Sequence, residues 1–269
     1  MAVITISRQK GSFGNQIAKA VAERLRYNRV GKAEISDALA DQGLEALVFE
    51  KFDGRRPSIW HSLSQQKKQF IHFLRAAVYD FARRGNVVIL GRGGQVLLKG
   101  IPATLHVRIV APFGTRVRRL MEMADFSRRK AENELLLSDH DSSGFIRSYF
   151  DINWSDIDMY DLVLNTRTMS VETGVSLIAA AVASREFGES TKAVETNLEN
   201  MALVEKAKGV LVGFPGISLT GVEVTNGEMV LTGLARSKEN IEHCKSAVES
   251  ISGVKKVRTK LDIVALTGI

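Results

Sequence analysis

The 269-residue chain contains a single cysteine, Cys244, so no disulfide can form within it. A reducing cytoplasm is the expected compartment. No apolar run approaches the roughly 18 residues that a membrane-spanning helix needs, and no membrane partner is expected. Met1 to Ile6 lacks a basic leader and a cleavage site, and it reads as a strand, not a signal peptide. Aromatic residues make up only 7% of the chain, few of them stand between basic residues, and no dense Lys/Arg run occurs. The net charge of +7 therefore does not read as a nucleic-acid surface, and arginines gathered round a phosphorylated small molecule account for part of the excess. His61, His72, His106, His140 and His243 show no metal-ligand spacing, so no metal site is expected in the chain.

What is present is an ordinary globular mix. Hydrophobic residues are 45% and charged residues 25%, enough for a sizeable core, and the length suits two domains. The first half alternates apolar strands with helices. Met1–Ile6 is followed by a small polar turn and a helix marked by Ile17, Val21 and Leu25. Residues 33 to 85 read as helices, broken near Asp53 to Pro57. Strands follow at 86–90, 104–110 and 161–165. A basic helical stretch lies between Arg116 and Leu137, and a helix from Val171 to Ser184 closes the half. That pattern predicts an α/β domain with a parallel sheet covered by helices on both faces.

Arg185 to Asn200 turns polar and reads as a linker, helical in part. The tail differs in kind. A helix over 201–212 precedes Val222–Thr225 and Met229–Thr232, which flank Asn226-Gly227, a strong hairpin signal because both residues tolerate positive φ. Ile241, Cys244, Val248 and Ile251 then follow at helical spacing. Gly253 ends that helix, and Val257, Leu261 and Ile263 suit a half-buried strand. The expected order is αββαβ, a small α+β module.

The chemistry concentrates at the strand ends. Gly11-Ser12-Phe13-Gly14 lies between a strand and a helix, where backbone N–H groups can cradle phosphate. The standard phosphate loop spaces two glycines by four residues and adds Lys and Ser/Thr. Here Gln9 takes the first glycine position, Asn15 the lysine position and Gln16 the hydroxyl position. Gly91-Arg92-Gly93 follows a buried strand and can put a guanidinium at the carboxyl edge of the sheet, where open α/β sheets bind ligands. Arg116, Arg118 and Arg119 follow the next strand, and Thr166 and Ser170 the last. Trp60 and Trp154 read as packing residues, and Cys244 as a small buried hydrophobe.

Ile4 to Arg8 leading to Gly11-Ser12-x-Gly14, Val87 to Arg92, His106 to Arg119 and Tyr160 to Thr166, taken in order, resemble the cytidylate kinase-like branch of the nucleoside monophosphate kinases over about 1–185. The resemblance implies a P-loop fold and transfer of the ATP γ-phosphoryl group to a pyrimidine monophosphate, with Mg²⁺ carried mainly by the nucleotide. It implies that Gly11, Ser12 and Gly14, flanked by Arg8, Lys10, Asn15 and Gln16, hold the ATP phosphates. Arg92 would grip the acceptor phosphate, where a bidentate fork suits the geometry. Arg116, Arg118 and Arg119 lie where a mobile lid begins, and Asp139 matches the acid of a lid-end Asp-x-x-Arg.

The chain departs from that pattern. Phe13 stands where relatives carry a second loop glycine, Asn15 where they carry a basic residue, and Ser142 where they carry an arginine. Lys10, Arg8, Arg128 and Arg129 are candidate substitutes. A nucleotide-binding sensor or scaffold without turnover is therefore the alternative. Val222 to Gly233, Ile251 to Val254 and Val257 to Ile263 resemble the BON domain over about 200–265. That implies a binding or assembly role, with a protein partner or a second copy engaged through residues 200–269. The expected division is 1–185, a linker at 186–199, and 200–269.

Overall fold

The computed structural model describes residues 2–52, 65–184 and 191–264. Asp53 to Pro57, Trp60 and His61 lie outside these residues, as does the start of the linker segment, 185–190. The first part runs β1 (Val3–Arg8), α1 (Gly14–Leu25), β2 (Asn28–Val30), α2 (Lys32–Ala40), α3 (Ala46–Phe52), α4 (Gln65–Arg84), β3 (Val87–Leu90), α5 (Gly94–Leu97), β4 (Thr104–Val110), α6 (Phe113–Ala124), α7 (Arg128–Phe150), β5 (Leu162–Asn165) and α8 (Val171–Val182). The strands form one parallel sheet in the order β2-β3-β1-β4-β5, and helices cover both faces as expected.

Alternation along β1 assigns its side chains to the two faces. Ile4 and Ile6 pack with Ile17 and Val21 of α1 and with Val175 and Ile178 of α8. Val3 points the other way, into a core with Phe70, Phe73 and Leu74 of α4. Two elements differ from the sequence reading. β2 is only three residues long, with two of them exposed, so no apolar run betrays it. The stretch from Arg116 to Leu137 is two helices, broken at Asp125 in the left-handed region at φ 50°. Ser127 then caps α7 by accepting a hydrogen bond from the Lys130 N–H.

The face of β1 that carries Thr5 is polar at its centre. Thr5 pairs in register with His106, and Thr5 Oγ1 lies 2.8 Å from His106 Nδ1. Burial pushes the imidazole below its usual range, and Asp161 only partly offsets this. The unfolded chain takes up a proton near pH 6.5 that the folded chain resists. Stability from this residue is therefore full above about pH 6.5 and is lost as pH falls below it. Thermal unfolding of the wild type and His106→Gln between pH 5 and 8 should show a steeper acid loss in the wild type; parallel curves would refute the assignment.

The second part comprises α9 (Lys192–Leu211), β6 (Ile217–Thr225), β7 (Glu228–Ala235), α10 (Lys238–Glu249) and β8 (Lys256–Ile263), the expected αββαβ order. β6 and β7 are antiparallel, and β8 adds in parallel to β7. Asn226 and Gly227 both have positive φ in the connecting turn. α9 starts at Lys192, inside the segment read as a linker, and serves two cores. Leu198 and Ala202 join the core built on α4, whereas Leu203, Ala207 and Leu211 join Met229, Leu231 and Val248. Lys206 bridges to Asp80 at 2.6 Å, and Glu205 accepts from His72 at 2.7 Å. Among the described residues, no helix is long and apolar enough to cross a membrane.

Candidate functional site

A cavity of about 650 Å³ opens where β1 and β3 end. Gly11 turns the loop at φ +77°, with its backbone pressed against α6: a Cβ there would lie 3.0 Å from the Cβ of Arg116. No side chain caps α1. The N–H groups of its first residues, Gly14 to Gln16, therefore have no partner within the helix, which is the ordinary basis of an anion site. The Ser12 hydroxyl is spent elsewhere: it is fully buried and donates to the Gln9 carbonyl at 2.7 Å. Its backbone is engaged as well: the Ser12 N–H donates to the same Gln9 carbonyl at 3.2 Å, and the Ser12 carbonyl accepts from Thr166 Oγ1 at 3.0 Å. Gln9 itself accepts from the Ala111 N–H and ties the loop to the end of β4.

Among the described residues the lining carries three cations, Arg8, Lys10 and Arg92, and no carboxylate. Arg8 Nε donates to Asn15 Oδ1 at 3.0 Å, and its Nη1 lies 3.3 Å from where a Cβ on Gly91 would stand. A guanidinium thus stands beside the position where Asn15 replaces the usual lysine. Lys10 lies 2.6 Å from Glu134 on α7, and its charge and hydrogen bond hold the Glu134 carboxyl below the usual range. Gly91, Arg92 and Gly93 all adopt positive φ, at 74°, 59° and 73°. For arginine this is a costly conformation. It turns Arg92 into the cavity at the sheet edge.

The three lid arginines separate. Arg116 is 4% exposed and forms a two-pronged ion pair with Asp139, at 3.1 and 2.8 Å. It also donates to the carbonyls of Ala111 and Lys10. Arg119 donates to the Gly11 carbonyl at 3.2 Å and to Thr166, and its guanidinium lies 3.8 Å from the Phe13 ring. Arg118 points to solvent and pairs with Glu122. Arg116 and Arg119 are therefore braces of the loop, their donors engaged, and Asp139 is the partner of one brace. None of Arg116, Arg118, Arg119 and Asp139 lines the cavity. Neither do Arg128 and Arg129; Arg128 pairs with Glu132.

Sequence reasoning missed Gln9, Gln95, Glu134 and the wall role of Trp154. Trp154 is buried, donates from Nε1 to Ser7 Oγ at 2.8 Å and packs over Arg108, and it also lines the cavity. No local pattern marks Gln9, Glu134 and Trp154, because their partners are distant in the chain. The phosphates of ATP fit the three cations and the uncapped helix. Among the described residues a protein cage for Mg²⁺ does not fit: none of their carboxylates lines the cavity, the Ser12 hydroxyl is engaged, and no group of three or more metal-binding side chains occurs.

The model of the family described as "Cytidylate kinase-like family" matches residues 3–168. The chain belongs to the cytidylate kinase-like family. Curated relatives of this family member include the cytidylate kinase of Methanococcus aeolicus, 25% identical over 186 residues, which span 68% of this chain and 98% of that one. The cytidylate kinase of Staphylothermus marinus is 27% identical over 191 residues, 70% of this chain and 97% of that one. Among solved structures, an uncharacterized protein from Eubacterium ventriosum superposes with a TM-score of 0.53 at 21% identity, over 69% of this chain and all of that one, a likeness of fold. Membership in the family makes this a relative of nucleoside monophosphate kinases.

Proposed function

We propose that the chain is an ATP-dependent cytoplasmic kinase that passes the γ-phosphoryl group to a pyrimidine nucleoside monophosphate. The observation that supports this reading best is the cavity lining, which among the described residues has three cations, no carboxylate and the N-terminus of α1 without a side-chain cap. Such a lining suits two phosphorylated ligands meeting end to end. An oxygen of the acceptor phosphate attacks the γ-phosphorus, the bond to the β-phosphate oxygen breaks, and ADP leaves. The chain's part is positioning and charge neutralisation. Gly11, Gly14, Asn15 and Gln16 present backbone to the donor phosphates, Arg8 stands beside them, and Arg92 holds the acceptor phosphate. Mg²⁺ would arrive on the nucleotide and neutralise its phosphates.

A coupled ADP-release assay with CMP, dCMP and UMP tests the reading. Turnover should appear with at least one acceptor and drop by about 10³-fold in Arg92→Ala, the low end for losing a phosphate-facing arginine. Absence of turnover in the wild type, or no change in the variant, would defeat it. The pairing of Lys10 with Glu134 favours a second reading, a sensor that binds nucleotide without turning it over. Its signature is ATP binding by calorimetry with no ADP release. Residues 200–269, read as a BON-like module, would then carry the signal to a protein partner or a second copy.

A further inference from the structure

A second cavity, of about 640 Å³, opens between α4, α5 and the end of α7, and neither the phosphate loop nor Arg92 lines it. Three donors on its wall are unspent. Arg75 and Tyr79 stand four residues apart on α4 and share a face. The Arg75 Nε is buried and makes no hydrogen bond among the described residues. Glu205 lies 3.8 Å from Arg75, but it already meets His72 at 2.7 Å and Lys208 at 3.5 Å. Tyr79 is 8% exposed, and its hydroxyl has no partner among the described residues, whereas buried side-chain polar groups are nearly always paired. Burial pushes this phenol up, so it remains a donor at neutral pH. Arg147 is exposed on α7 and makes no ion pair or side-chain hydrogen bond among the described residues. Against these donors, Asp151 is the one carboxylate of the lining among the described residues.

We infer that this cavity binds the phosphate group of a small molecule, at a site separate from the phosphate loop. Guanidinium forks match phosphate oxygens two at a time, and the phenol adds a third donor group. A carboxylate ligand offers two oxygens to these three groups, whereas a phosphate offers three. Two arginines against one carboxylate leave the wall positive. The cavity also bears on the first one. Phe150 lines it and presses on the turn before α5, where a Cβ on Gly93 would stand 2.5 Å from the Phe150 Cε2. An occupant beside Phe150 therefore touches the ring that backs the Arg92 turn. The inference stands on these residues whether or not the chain turns nucleotide over.

Hydrogen exchange on the full chain, followed as inorganic pyrophosphate is added, tests this. Exchange over 75–84 and 147–151 should slow. Arg147→Gln, at an exposed position, should raise the half-saturating concentration there by about 10-fold, the low end for a lost hydrogen bond to a charged group. The half-saturation of any change over 9–16 should stay as in the wild type. Asp151→Asn removes the opposing charge and should lower the half-saturating concentration at 147–151 by about 2- to 5-fold. ADP in place of pyrophosphate distinguishes the sources. Half-saturation of 147–151 at a lower concentration of ADP means that the phosphate arrives on a nucleoside, and at an equal or higher one that it arrives free. No slowing at 147–151, or the same half-saturation there in the wild type and Arg147→Gln, would overturn the inference and leave the kinase reading untouched.

Discussion

Asp139→Ala is expected to lower the free energy of unfolding by about 3 kcal/mol and to loosen the phosphate loop with it. The variant leaves Arg116, itself 4% exposed, as a buried charge whose carboxylate has gone. Breaking a fully buried pair from one side costs about 3–5 kcal/mol. Asp139 keeps 28% of its side chain exposed, so water can reach the gap and the low end applies. The loop is affected because the Gly11 backbone rests on the Arg116 Cβ and the Lys10 carbonyl accepts from its guanidinium. Urea unfolding at constant m-value measures the first effect, and ATP titration the second. A loss under about 0.5 kcal/mol would show that the pair is solvated like an exposed bridge. Arg116→Met combined with Asp139→Leu should recover much of the stability but not the ATP affinity, since buried pairs are replaceable by packing while the loop contacts are not.

Gly14→Ala should cost about 10²-fold in turnover, the scale set by a misplacement of about 1 Å at a reacting site. A Cβ at Gly14 would stand 2.4 Å from the Cβ and 2.7 Å from the Cγ of Arg8. The Arg8 Cβ is fixed to the end of β1, so either the loop lifts or the Arg8 guanidinium leaves Asn15. Overpacking of this kind also costs about 1–3 kcal/mol of stability. Gly114→Ala is the control. It lies on α6 with open space around it and should leave turnover unchanged while improving helix propensity by somewhat under 1 kcal/mol. Equal turnover in the two variants would mean that the loop tolerates displacement and that Gly14 does not position the phosphates.

The architecture was legible because each long strand of the sheet is a short apolar run ended by small residues, and α1 keeps its apolar spacing. β2 escaped because one buried residue, Val30, carries no period. At the site, the sequence marked the two glycine turns and Arg92, whose place after a buried strand is local information. It could not mark Lys10 with Glu134 or Arg116 with Asp139, because side chains separated by 124 and 23 residues share no periodicity. One distinction was available and unused. Residues three apart on a helix share a face, which groups Arg116 with Arg119 and turns Arg118 away, as the structure has it. Phe13 shows why the departures from the family pattern mattered. It stands in the left-handed region at φ 60°, where a bulky side chain costs about 1–2 kcal/mol, and its contact with Arg119 helps offset that cost.

α9 contributes one set of side chains to each of two cores, and at Gly209 it approaches α4 so closely that a Cβ would sit 2.2 Å from the Phe73 ring. Melting α9 would remove side chains from both cores at once, so a single unfolding transition is expected for the two parts. A ligand held at the phosphate loop would then stabilise the distant three-stranded sheet by linkage, and slower hydrogen exchange in β6–β8 at saturating ATP is the expected result.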